Sequence, residues 1–136
     1  MPKPTYLIDT NIFLRTLIKE DEVSFQACQK FLNQVKTNQV EAVVPGVVLI
    51  ELVWTLKSFY GLTKREVIQA LESVLHLNNL KVIDDYDHAQ ALKLWSKHKA
   101  KYVDCLLASL AQKYHYYIIS YDQDFEKLGV KLERPF

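Results

Sequence analysis

Cysteine, glycine and proline are scarce in this 136-residue sequence, at two, three and four residues respectively. The cysteines, Cys28 and Cys105, match no metal-binding or redox spacing. The expectation is therefore two reduced, buried thiols in a cytoplasmic protein rather than a disulfide scaffold or a thiolate zinc site. So few glycines leave little room for a linker, and no repeat or low-complexity run appears, so residues 1–136 read as one domain. A glycine-rich phosphate loop is also missing. Neither sign of charge prevails, since 17 basic and 16 acidic residues give a net charge of +1. That balance excludes a basic coat protein, and any polyanion has to be held by a local patch or through metal ions. Long hydrophobic runs are lacking as well. The most apolar stretch, 42–54, is too short to span a bilayer and contains Pro45, Gly46 and Glu51. The start of the chain lacks the apolar segment of a secretory signal, so a soluble protein with no membrane role is expected.

What the chain does have is material for a core, with 49% hydrophobic residues. Short β-branched or apolar runs predict strands over 5–8, 41–44, 80–83, 117–120 and 130–132. Longer helical patterns predict helices over 10–18, 23–36, 47–60, 64–76, 88–99 and 103–114. Gly61 stands where a helix should end, and Thr63 is a good N-cap for the next one. Strands alternating with helices imply an α/β fold of three layers, with a central parallel sheet flanked by helices. Sites in such sheets form beyond the carboxyl ends of the strands.

Most of the 16 acidic residues need no special account. Asp84, Asp85 and Asp87, for example, follow a strand and precede a helix, where capping suffices. Asp9, Glu51 and Asp104 differ, because each lies in a segment apolar on nearly every side, suggesting elements buried all round. Burying an unpaired carboxylate costs several kcal/mol, so it needs a cation, a proton or a full hydrogen-bond set. Salt bridges are poorly supplied: Arg15 and Lys57 are the only basic residues near the first two, and Lys101 is the nearest to Asp104. Three such residues on separate elements favour one shared cation site. A fourth, Asp122, follows the strand at 117–120 just as Asp9 follows the first strand, so all four can converge.

The candidate ligands are all hard oxygens, with no histidine or cysteine at ligand spacing. His76, His88, His98 and His115 fall in polar helix ends or loops. The set favours Mg²⁺ or Mn²⁺, one or two ions, over zinc. Clustered carboxylates at the mouth of an α/β sheet suit metal-assisted phosphodiester cleavage, in which an ion activates water.

Leu7-Ile8-Asp9-Thr10-Asn11-Ile12-Phe13-Leu14 resembles the first motif of PIN-domain nucleases. The stretch from Pro45 to Glu51-Leu52 resembles the second, Asp104-Cys105-Leu106-Leu107-Ala108 the third, and Ser120-Tyr121-Asp122-Gln123-Asp124-Phe125 the fourth. The resemblance covers essentially the whole chain, and within the family a compact single domain is most similar to the VapC-type toxins. It implies a Mg²⁺-dependent endoribonuclease, a homodimer, and neutralisation by a small antitoxin. It carries Asp9, Glu51, Asp104 and Asp122 over as metal ligands with Asp124 as a fifth acidic contributor, and Asn11 and Ser120 as supporting polar groups. RNA is expected to meet Arg15 beyond Asp9 and a basic run that includes Lys93, Lys97 and Lys101, although a solvated helix face explains that run as well.

Two other aspartate chemistries fit poorly. A haloacid-dehalogenase-like phosphatase needs Asp-x-Asp where this chain has Asp9-Thr10-Asn11. A receiver domain needs an early acidic pair and a late lysine. The alternative from another class is a PIN-like module that binds RNA or a protein without cleaving.

Overall fold

The structure, a computed structural model, describes residues 3–135; Met1, Pro2 and Phe136, and with them the very start of the chain, lie outside the described residues. Five parallel strands form one sheet in the order β3-β2-β1-β4-β5, with β1 Thr5–Ile8, β2 Glu41–Pro45, β3 Leu80–Ile83, β4 Tyr117–Ile119 and β5 Lys131–Glu133. Leu7 and Ile8 are consecutive and both fully buried, and Ala42, Val43 and Val44 are buried in succession. Successive strand residues point to opposite faces, so both faces of the sheet are covered. The central sheet flanked by helices is as expected.

Six helices supply the cover: α1 Thr10–Leu17, α2 Glu22–Lys36, α3 Gly46–Trp54, α4 Lys64–Leu75, α5 His88–Lys97 and α6 Tyr102–Tyr114. Helix α1 packs against α2 and α3, α3 meets α4, and α5 packs along α6. Local chemistry sets the boundaries. Asp21 caps α2 and Asp87 caps α5 through side-chain oxygens, and Thr63 forms a full capping box with Glu66 at the start of α4. Gly61 turns the chain before that cap with φ of +68°. Asp84 and Asp85 are exposed, as solvated residues should be; Asp85 pairs with Lys113 at 3.6 Å.

The helix expected over 47–60 does not run through as one α-helix. After Trp54 it widens into a π-turn, Thr55–Phe59, closed by the Tyr60 N–H donating to the Thr55 carbonyl at 3.1 Å. Nor is α3 buried all round, as the apolar run predicted. Val48 and Leu52 are buried, but Ile50 and Trp54 are 69% and 66% exposed. A helix of 3.6 residues to the turn shows only one stripe to the core, and nothing among the described residues covers the other. By contrast α6 meets the expectation, with Cys105 to Ala111 buried without a break. Both cysteines are free and buried. Among the described residues, no helix is long and apolar enough to cross a membrane.

The chain leaves β1 for β2 on one side, then β3, and returns to place β4 on the other side of β1. The strand order therefore reverses between β1 and β4. Their carboxyl ends flank the crevice of this sheet.

Candidate active site

Asp9 is the first residue after β1 and the N-cap of α1. It is only 7% exposed. One carboxylate oxygen, Oδ1, accepts the Thr10 backbone N–H at 2.8 Å, and the other, Oδ2, accepts the Ser120 hydroxyl at 2.7 Å. Ser120 stands at the end of β4, fully buried, and its Oγ in turn accepts the Asp122 backbone N–H at 3.0 Å. One hydroxyl thus fixes the ends of two neighbouring strands to each other. Asp122 begins the 3₁₀ turn Gln123–Leu128, and its Oδ1 accepts the Asp124 N–H at 2.9 Å.

Glu51 comes from the middle of α3. Thr10 donates its hydroxyl to Glu51 Oε1 at 2.7 Å, so the residue after Asp9 ties α3 to the mouth of β1. Helix α3 is itself aimed by a contact at its start, where Tyr86 Oη accepts the Val47 N–H at 2.9 Å and donates to Asp84 at 3.2 Å. At Gly46 the Asp84 carboxylate lies so close that a Cβ would collide with it. Asp104 projects from the first turn of α6, where the unpaired backbone N–H groups favour a negative charge.

Electrostatics show the four carboxylates acting on one another. Burial raises the Asp9 pKa above the usual carboxylate range; the Ser120 and Thr10 hydrogen bonds oppose this, and the charges of Glu51 and Asp122 add to it. The Asp104 pKa is pushed up to about 7, first by burial, then by the charges of Asp9 and Asp122, with Lys101 opposing and Glu51 adding a little. Among the described residues, none of the four makes a salt bridge; the ion pairs present are Lys19–Glu22, Lys113–Asp85 and Lys127–Asp124. Among the described residues, no three acidic groups lie close enough together to enclose an ion unaided.

The other anticipated residues divide. Ser120 is at the centre. Asn11 is exposed and makes no hydrogen bond to the four carboxylates among the described residues; it lines a small cavity of about 120 Å³ with Arg15, Glu20, Asp21, Ser24 and Tyr60. Arg15 donates to Ser24 Oγ at 3.0 Å, and its guanidinium lies 4.3 Å from the centre of the Tyr121 ring, beside the loop that carries Asp122. Asp124 contributes its backbone N–H to Asp122, while its carboxylate faces Lys127 at 3.4 Å. Lys97 ends α5, and Lys101 caps α6 with no side-chain hydrogen bond of its own to that helix. Thr10 was not anticipated; its position next to Asp9 was the only hint.

A family model for the PIN domain matches residues 6–131. The chain belongs to the PIN domain family. This PIN domain is 28% identical, over 131 residues and 96% of both chains, to a VapC ribonuclease of Aquifex aeolicus (strain VF5). Its fold is similar to that of VapBC2 from Rickettsia felis bound to a DNA fragment from the promoter, with a TM-score of 0.72 and 18% identity, covering 97% of this chain and 99% of that one. It is as similar to VapC20 of Mycobacterium tuberculosis, a Sarcin-Ricin loop cleaving toxin, with a TM-score of 0.72 and 16% identity over 96% of this chain and 99% of the other.

Proposed function

We propose that this PIN domain is a metal-dependent endoribonuclease and the toxin of a toxin–antitoxin pair. One observation carries the reading: beside the point where the strand order reverses, the charges of Asp9, Asp122 and Glu51 all act on Asp104, and none of the four makes a salt bridge among the described residues. The similarity to a VapC ribonuclease and to VapC proteins solved alone or with their partners supports the same reading.

The donor set fits a hard divalent cation, since every candidate ligand is an oxygen. Asp9, Glu51, Asp104 and Asp122 would hold Mg²⁺ or Mn²⁺, as one or two ions. Such an ion supplies Lewis acidity, activating water and stabilising charge that builds on the phosphate. The chain's own contribution is placement. Ser120 holds Asp9 and the Asp122 loop in one geometry, and Thr10 holds Glu51. With both oxygens of Asp9 already accepting hydrogen bonds, its orientation is set before any ligand arrives. Asp124 would add a fifth carboxylate, and its backbone N–H already holds Asp122. The partners proposed are RNA as substrate, a small antitoxin, and a second copy of this chain, the last supported by the apolar side chains that α3 leaves exposed. The proposed location is the cytoplasm.

The test is cleavage of cellular RNA by purified protein with Mg²⁺, with Mn²⁺ and with EDTA. Cleavage with either metal, lost on chelation and lost in Asp9→Asn, is the expected result. Undiminished cleavage after exhaustive chelation refutes metal dependence. RNA binding without cleavage under every condition returns the protein to the non-catalytic module.

A further inference from the structure

The stretch between Asp87 and Asp104 contains no acidic residue in sixteen positions, yet holds Lys93, Lys97, Lys99, Lys101 and two histidines, in a chain whose net charge is only +1. It forms α5, the connection after it and the start of α6. All four lysines are exposed, and none makes a salt bridge among the described residues. In the midst of them Trp95 is 51% exposed. Its indole meets the Tyr102 ring edge-on at 5.3 Å, and Tyr102 Oη is 3.2 Å from His88 Nδ1. Tyr102 lies two residues before Asp104, and Lys101 is close enough to act on the Asp104 charge. An exposed indole braced by a second ring, with lysines around it, is thus tied to the start of the helix that carries Asp104.

A tryptophan half open to water keeps one ring face free for a ligand. Unpaired nucleobases stack on such rings while lysines take the phosphates. Charge complementarity names the occupant, because Lys93, Lys97, Lys99 and Lys101 surround the ring with no acidic residue among them and suit a phosphate backbone.

We propose that Trp95, braced by Tyr102, is the stacking platform for an unpaired base of RNA whose flanking phosphates lie on Lys97, Lys99 and Lys101. This rests on the ribonuclease reading above and deepens it.

The experiment measures binding of a fluorescein-labelled twelve-nucleotide single-stranded RNA, and of the same sequence as a duplex, in EDTA so that nothing is cut. Parent, Trp95→Ala, Trp95→Phe and Lys97→Gln/Lys101→Gln are compared, with sedimentation of each. The expected result is about a tenfold loss for Trp95→Ala on the single strand, a smaller loss for Trp95→Phe, and little change on the duplex. The double lysine variant should lower the salt dependence by about two phosphate contacts. Equal binding by Trp95→Ala and parent overturns the platform, and so does a Trp95→Ala chain that loses self-association instead of RNA. A parent protein that neither binds RNA in EDTA nor cuts it with Mg²⁺ refutes the ribonuclease reading itself; one that cuts RNA while indifferent to Trp95 refutes only this subsite.

Discussion

Asp104→Asn should make the metal-free protein more stable while abolishing cleavage. Asparagine keeps the shape and removes one negative charge from a site where Asp9, Asp122 and Glu51 all oppose it. The Asp104 carboxyl rises from 3.8 to about 7 in the fold. Three pH units correspond to roughly 4 kcal/mol of repulsion and desolvation at full strength. Asp104 keeps part of its surface in water, so screening reduces the realised gain to about 1–2 kcal/mol, or several degrees in melting temperature. Below about pH 4, Asp104 carries its proton both folded and unfolded, and the two proteins should match. As pH rises from 4 to 7 the unfolded chain releases that proton while the folded chain retains it, so parent stability falls and the advantage of Asp104→Asn grows. Above about 7 the gap is constant. Thermal and urea melts in EDTA from pH 4 to 8.5 measure this directly, and adding Mn²⁺ should stabilise the parent more than the variant. Had Asp104 served a structural ion pair, its loss would strand a cation and destabilise the fold. A destabilised, still active Asp104→Asn protein, or a gap that does not widen with pH, would refute the reasoning.

Ser120→Ala removes the hydroxyl bridge between Asp9 and the Asp122 loop; the expected outcome is a loss of about 1–3 kcal/mol of stability and at least a tenfold fall in cleavage, read by urea melts and single-turnover assays. Production of the chain alone in a bacterium should slow growth, and Asp9→Asn should relieve it. Normal growth at high soluble parent levels counts against the toxin role. Sedimentation at tens of micromolar, roughly the range in which a modest interface persists, should show a dimer, and a monomer alone removes the second copy from the partners.

Much of the fold was legible because its signals are local. The strand over 80–83 and the start of α4 were fixed by β-branched runs and by Thr63, features that need only a few neighbours. Asp9, Glu51 and Asp104 stood out as charges inside apolar segments, and Asp122 by its place at the end of a strand. What stayed hidden depends on geometry between distant residues. The bridging hydroxyl of Ser120, anticipated only as a supporting polar group, acts on a residue 111 positions away, and the Thr10 hydroxyl reaches Glu51 across 41. The exposure of Ile50 and Trp54 could not be read either, because a run apolar on every side has the same appearance whether a helix is buried or meets a partner.

The hydroxyl bridge between the two ends of the crevice also sets an order in time. Asp9 is made 111 residues before Ser120, and β4 pairs with β1, made long before it, as well as with β5, which follows it. At about 5–20 residues per second, the ribosome takes roughly 6–20 s to cover that separation. During that interval the growing chain possesses fragments of a site but no site. A chain that folds this way cannot assemble its crevice until β4 has joined β1. Shifting β4 to an earlier place in the chain would give up that delay without altering a single side chain of the finished crevice.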